Sequence, residues 1–333
     1  MFSKKCFQCC LIPLVSIVAM ILFVIPTSLA AEKKAFTWGT TSNTSGWFSY
    51  YVAASKILNK NLPDINVTVR STGGVIHNIR LLEKREIDIG NLDTKSAWEA
   101  IHGKEGFEGK PFPDLRMLAI SATNPLQFVV SEKSGIKTIY DFEGKTYCPG
   151  MLGSSAEKTT MDIFKTFGVR PNLRHMSYAD AIEAMKDERV VGFSKFAAPD
   201  ASIMEVSSIM KIRIISFSDD EIAKIEKNVP GLIKMVVPSG IYREVGEFKT
   251  FANENSDYVR KDFPDDLAYK WVKVMWENRS EIKRANGSFI GDRFIDVALG
   301  VKVGHLHSGT IRFFRDMGFT VPKHLVPPEM NEK

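Results

Sequence analysis

Phe36-Thr37-Trp38-Gly39-Thr40-Thr41-Ser42-Asn43-Thr44-Ser45-Gly46 is the stretch on which the fold turns. Phe36 to Gly39 reads as a short strand, and the hydroxyl and amide residues after it read as a loop. A helix over residues 47–61 should follow, because Phe48, Tyr51, Val52, Ser55 and Leu58 recur near helical spacing. Pro63 ends it, since the residue before a proline is pushed out of helical geometry. Residues 65–70 alternate apolar and polar as a strand does. Ser71-Thr72-Gly73-Gly74 turns into a second helix, residues 87–91 give a third strand and residues 94–102 a third helix. Strand, helix, strand, helix with short links is the signature of a parallel α/β sheet.

Working outward, residues 115–121 and 126–131 read as two further apolar strands. The βα rhythm then starts afresh, with a short strand at Tyr147-Cys148, a loop from Pro149 to Ser155 and a helix over residues 156–167. Helices over 179–186 and 201–209 and strands over 190–196 and 212–217 continue it. Two α/β units in series predict two lobes. Near the end, residues 267–282 read as one long helix with Leu267, Trp271, Val274 and Met275 on one side, and Trp276 helping to pack it. Residues 308–317 form the last helix. No segment repeats at 20–50 residues, which excludes a solenoid.

Composition narrows the class. The chain has 333 residues, 44% hydrophobic and 25% charged, the ordinary globular range. Lys4 and Lys5 precede an uncharged run over residues 11–25 and then Pro26-Thr27-Ser28-Leu29-Ala30-Ala31. A basic start, an apolar stretch and small residues at a cut site describe a secretory signal over residues 1–31, cleaved near Ala30/Ala31. The apolar run is short for a membrane span, which needs about 20 residues. The product would work in the periplasm. Removing Lys4 and Lys5 lowers the formal charge from +5 to +3, too mild a balance for nucleic acid. Cys6, Cys9 and Cys10 leave with the signal, so Cys148 has no partner for an internal disulfide and reads as a small buried apolar residue.

Three loops stand where a strand ends and a helix begins: residues 40–46, 71–74 and 150–155. In open α/β sheets ligands bind outside the carboxyl ends of the strands. Helix N-termini there offer unpaired N–H groups and partial positive charge, which suit an anion. Such loops facing one another across a cleft would grip a small carboxylate-bearing solute. Enzymatic signatures are missing. Gly192-Phe193-Ser194 lacks the second glycine of a nucleophile elbow, and no phosphate-binding Gly-x-x-x-x-Gly-Lys-Ser/Thr loop occurs. His305 and His307 lack acidic or cysteine ligands at metal-site spacing, so neither a metal nor a cofactor is expected.

With these motifs assembled, the chain resembles the TAXI-type solute-binding proteins of tripartite ATP-independent periplasmic (TRAP) transporters. That family opens Gly-Thr-Gly-Ser-Thr-Gly-Gly-Thr-Tyr-Tyr and closes its first helix Leu-Leu-Asn-Lys. Here Gly39 to Phe48 matches without a gap, and the helix closes Ile57-Leu58-Asn59-Lys60. The family's next motif appears as Thr72-Gly73-Gly74, Asn78, Leu81-Leu82 and Glu86-Ile87-Asp88. Ser134-Gly135-Ile136-Lys137, Asp141 to Lys145, Gly153-Ser154-Ser155, Asp187 to Phe196 and Leu306-His307-Ser308-Gly309 extend the likeness over nearly the whole chain.

The resemblance implies a two-lobed type II periplasmic-binding-protein fold with two crossing strands as hinge, near residues 126–131 and 248–254. Lobe one would hold residues 35–125 plus 255–333, and lobe two residues 126–254. It also implies a monomer that captures a small organic acid or a glutamate-like amino acid by closing its lobes, then delivers it to an ion-gradient-driven TRAP permease. The binding protein of an ABC importer and a sensor-associated binding protein are the rival readings. The residues expected to touch solute are Thr41, Asn43, Thr44 and Ser45 of the first loop, Thr72 and Gly73 of the second, and Asn91 and Asp93 after the third strand. Ser154, Ser155 and Phe196 would come from lobe two. Trp47 and Phe48 either wall the pocket or pack beneath it, and Asp93 either binds a substrate ammonium or caps the helix starting at Thr94. Thr41, Thr44 and Ser45 replace family glycines, and Trp47-Phe48 replaces the tyrosine pair, which removes two phenol hydroxyls from any ligand.

Overall fold

In the computed structural model, residues 33–41, 43 and 47–330 are described. The expected signal segment with its three cysteines, and Thr44 and Ser45 of the first loop, lie outside these residues.

The first half follows the βα rhythm. Strand β1 (Lys34–Gly39) leads to helix α1 (Phe48–Asn61), β2 (Ile65–Arg70), α2 (Val75–Glu83), β3 (Ile89–Asp93) and α3 (Thr94–His102). Strand β1 pairs in parallel with β2 on one side and β3 on the other. Helix α1 buries Tyr50, Tyr51, Ala54, Ser55, Ile57 and Leu58 and stops at Leu62 before Pro63. Of the face read from periodicity Tyr51, Ser55 and Leu58 are buried, but Phe48 and Val52 are half-buried, because the helix turns Tyr50 and Tyr51 toward Trp38. Trp38, fully buried on β1, packs edge-on against Tyr50, Tyr51 and Trp271.

The next element departs from expectation. The two strands read at 115–121 and 126–131 are one 17-residue strand, β4 (Leu115–Ser131). The half-buried Thr123-Asn124 interrupts the apolar pattern and imitates a loop. The strand continues there because it passes between two cores: Leu115, Met117, Leu118 and Ile120 belong to one apolar cluster, and Leu126, Phe128 and Val130 to a second. Its antiparallel neighbour β10 (Phe248–Arg260) makes the same passage, with Phe251 in the second cluster and Tyr258 and Val259 in the first. The β4–β10 register shifts at Asn255/Ser256 and again at Asp257/Tyr258, bulges that add local twist.

Between these strands lie β5 (Thr146–Tyr147), α4 (Ser155–Phe167), β6 (Asn172–Leu173), α5 (Tyr178–Lys186), β7 (Gly192–Phe196), α6 (Ala201–Ile209), β8 (Ile212–Ile214), α7 (Asp219–Asn228) and β9 (Ile233–Val237). The main sheet runs β2-β1-β3-β10-β4-β7, with β8 on β4 and β9 on β10, so parallel and antiparallel pairs mix. A third cluster, around Val129, Phe193, Ile203 and Phe248, completes this half. Cys148 is buried there, and burial raises its thiol pKa, in keeping with an inert apolar residue.

After β10 come α8 (Asp265–Glu277), α9 (Arg279–Ala285), α10 (Phe294–Gly300) and α11 (Ser308–Asp316), which return to the first cluster. The single helix read over 267–282 is thus two, divided at Asn278, whose ψ of 14° leaves helical geometry. Helix α11 lies close against α8 because Gly309 lacks a side chain: a Cβ there would stand 2.3 Å from the Asp265 carbonyl oxygen. No helix among the described residues is long and apolar enough to cross a membrane.

Candidate ligand-binding site

A cavity of about 550 Å³ opens where α2, α3 and α4 begin. Gly73 and Gly74 reach it from the turn after β2, Asp93 from the end of β3, and Gly153, Ser154 and Ser155 from the turn before α4. Asn78 holds the first two turns in place. Its Nδ2 donates to the carbonyls of Thr40 (2.7 Å) and Asn91 (2.9 Å), tying the ends of β1 and β3 together. Thr72 Oγ1 stands 2.7 Å from Asn78 Oδ1 and accepts from the Gly74 N–H, fixing the turn that enters α2.

The three first turns are finished differently. Asp93 caps α3: Oδ1 accepts from the Ser96 N–H at 2.8 Å and Oδ2 from the Ser96 hydroxyl at 3.0 Å. Ser154 caps α4, its Oγ accepting from the Glu157 N–H at 3.1 Å. No side chain caps α2, which begins at Gly74 with φ of +94°. Ser155 Oγ lies 3.5 Å from Asp93 Oδ2, so α3 and α4 meet at the cavity wall.

Charge closes the side of the site. Lys95 and Glu99 of α3 are 4% and 3% exposed and pair at 2.5 Å. Lys95 also binds Asp162 of α4 at 2.8 Å, and Lys158 of α4 binds Glu99. Burial alone would lower the Lys95 pKa, but Glu99 and Asp162 outweigh it and hold the ammonium above its ordinary value. Breaking one such pair strands the other charge, which is costly when buried. Glu157 accepts from the Gly153 N–H and pairs with His175, so its carboxylate braces the α4 turn. A second cavity, about 630 Å³, is lined by Lys95, Glu99 and Asp162 together with Lys165, Lys224 and Lys227.

Of the residues predicted from sequence, Gly73, Asp93, Ser154 and Ser155 meet around this cavity. Asn43 and Phe48 instead line a separate cavity between α1 and α9, with Val52, Lys56 and Glu281. Trp47 packs edge-on against Tyr50 at the border of the first cluster. Thr41 offers its carbonyl to the Thr72 N–H. Asn91 is buried in the sheet, its Nδ2 pointing at the Ser256 carbonyl. Phe196 ends β7 against the second cluster, paired with Leu126. Sequence reasoning passed over Ile76, Lys95, Phe107, Glu157 and Lys158, which also line the cavity. Lys95 and Lys158 carried a signal, being cations in the first turn of a helix, where acids are the rule. Among the described residues no group of His, Cys, Asp and Glu is placed to hold a metal ion.

This mixed sheet with its strand-end cavity is a type II periplasmic-binding-protein-like architecture. The chain belongs to the NMT1-like family, whose profile matches residues 38–318. Its fold is similar to that of XAC2383 from Xanthomonas citri, solved bound to ATP, at TM-score 0.53 and 9% identity over 78% of this chain and 90% of that one. The probable amino-acid ABC transporter extracellular-binding protein ytmK from Bacillus subtilis gives 0.50 and 14%, over 78% and 99%. A structure from a study of glutathione import via GshT and the cystine ABC importer TcyBC of Streptococcus mutans gives 0.50 and 15%, over 78% and 98%.

Proposed function

We propose that this protein is an exported, non-catalytic solute-binding subunit of a membrane importer, taking a small carboxylate-bearing solute between two lobes. The carrying observation is that three strand-to-helix turns, from both sides of the β4–β10 crossing, converge on one cavity. Lobe one comprises residues 35–125 and 255–333, and lobe two residues 126–254. The bare N-terminus of α2 and the Ser155 hydroxyl receive the carboxylate, while Lys95 and Lys158, neutralised by Glu99 and Asp162, brace the wall between α3 and α4. Solute favours the closed arrangement through its differential affinity for it.

The ABC importer is the leading partner, because solved proteins of like fold serve such importers by their titles. The TRAP permease is the second reading, carried by the motifs from Gly39 to Phe48 and Thr72 to Gly74. Thermal melting against a panel of amino acids and organic acids tests the role. A solute at 100 times its dissociation constant adds about 2.7 kcal/mol and a clear rise in midpoint. No rise with any carboxylate would remove the reading. Transport reconstituted with the partner membrane protein, with and without ATP, separates the two importers.

A further inference from the structure

The hydroxyl of Thr94, the first residue of α3, stands at a junction that does not balance unless one neighbour brings a proton. Its Oγ1 lies 2.9 Å from the carbonyl oxygen of Gly231 and 3.0 Å from Oε2 of Glu254. The Glu254 N–H also approaches it, at 3.4 Å. A hydroxyl owns one proton and can satisfy one of the two oxygens. If Glu254 is ionised, the carboxylate takes that proton as the stronger acceptor, and the Gly231 carbonyl is left facing a lone pair. If Glu254 is a neutral acid, Oε2–H donates to Thr94 Oγ1, and Thr94 donates onward to Gly231. Only the second arrangement satisfies both short contacts.

The surroundings agree. Glu254 is 1% exposed on β10, and its Oε1 has no partner. Opposite it in the β4 register stands Thr123, whose hydroxyl is also unpartnered. The titratable groups facing it are Asp93 from the end of β3 and Tyr258 on its own strand, neither a cation. Lys95, next along α3, directs its ammonium to Glu99 and Asp162. Burial, opposed by the Thr94 hydrogen bond and aided by Asp93, pushes the Glu254 carboxyl up to about 7.

We propose that Glu254 is a proton-binding site coupled to closure: it holds a proton when Gly231 seats on α3, and the proton completes the chain Glu254–Thr94–Gly231. This rests on the two-lobe reading, because Thr94 belongs to lobe one and Gly231 to lobe two. When the lobes part, Glu254 returns toward its ordinary value of 4.5. Closure is then strongest at low pH, weakens about tenfold per unit as pH rises between those two values, and levels off above the upper one. Gly231 suits the seat, since a Cβ there would stand 2.5 Å from the Lys95 Cα.

The test uses the full chain and Glu254→Gln, whose amide donates to Thr94 as the neutral acid does. Difference infrared spectra across about pH 5 to pH 9 should show a protonated-carboxyl stretch that titrates near neutrality in the wild type and is missing in the variant. Asp257, the other deeply buried carboxyl of β10, contributes equally to both chains and cancels. X-ray scattering over the same range should show the radius of gyration of the wild type growing with pH while the variant stays compact. Thr94→Val, which removes the link between the acid and the Gly231 carbonyl, should displace the infrared midpoint. No titrating band lost with Glu254→Gln, or an unmoved midpoint in Thr94→Val, overturns the proton site. A titrating band with a radius that ignores pH overturns its coupling to closure. Compaction on adding solutes from the panel judges the two-lobe reading separately, so its failure is distinguishable from that of Glu254.

Discussion

Helices α4 and α2 reach the same cavity with opposite first turns. Ser154 Oγ accepts from the Glu157 N–H, and Glu157 in turn accepts from Gly153, so the α4 turn is internally satisfied. Helix α2 starts at a glycine with positive φ and no side-chain cap. A capped turn has its oxygen committed to the helix, whereas a bare turn keeps its N–H groups for an anion. Ser154 and Asp93 are therefore scaffolding first, and the bare turn of α2 is where the fold leaves a helix end unfinished.

Substitutions can break or sharpen that contrast. Gly231→Ala should act most strongly, because its Cβ meets the Lys95 backbone beside the capped end of α3 and its φ is +91°. A loss of roughly 3 kcal/mol in chemical denaturation is expected, with solute affinity lost as well. Asp93→Ala removes two hydrogen bonds within the first turn of α3 and should cost about 2 kcal/mol of stability. Ser154→Ala and Ser155→Ala form the sharpest pair. The first should lower stability by about 1 kcal/mol and leave the affinity for the panel's best solute unchanged, and the second should do the reverse. Equal behaviour of the two serines in calorimetry would erase the distinction. Ile76→Glu, on the exposed first turn of α2, should raise stability by about 0.5 kcal/mol through the helix dipole while weakening an anionic solute. An anion that binds this variant as well as the wild type does not sit at α2.

What the sequence disclosed follows the same line. The βα alternation and the turns at Gly73 and Ser154 were readable because each rests on local spacing or on a residue with one conformational role. The unity of β4 was not, because Thr123-Asn124 is polar for a reason set elsewhere: it spans the gap between two apolar clusters. Asp93 left two roles open in the sequence, and the geometry fills one of them, the cap of α3. Lys95 and Glu99 look like an ordinary surface i,i+4 pair until Asp162 and Lys158 of α4 arrive to bury them. Glu254 carried no signal either, since a lone glutamate in a strand declares nothing about a threonine and a carbonyl reached only through the fold.

The route of the chain through β4 and β10 also sets an order of assembly. The second and third clusters are built from one continuous stretch, whereas the first needs β1 to β3 to be joined by α8 to α11 from the far end of the chain. Closing so long a loop is slow and entropically costly. A chain delivered from its N-terminus therefore presents Trp38, Tyr50 and Tyr51 to solvent until Trp271 arrives to cover them. Pulsed hydrogen exchange during refolding should find the amides of β7 protected before those of β1. The half of the molecule that is synthesised first is thus the half that is finished last, and it is the half that a chaperone would need to hold.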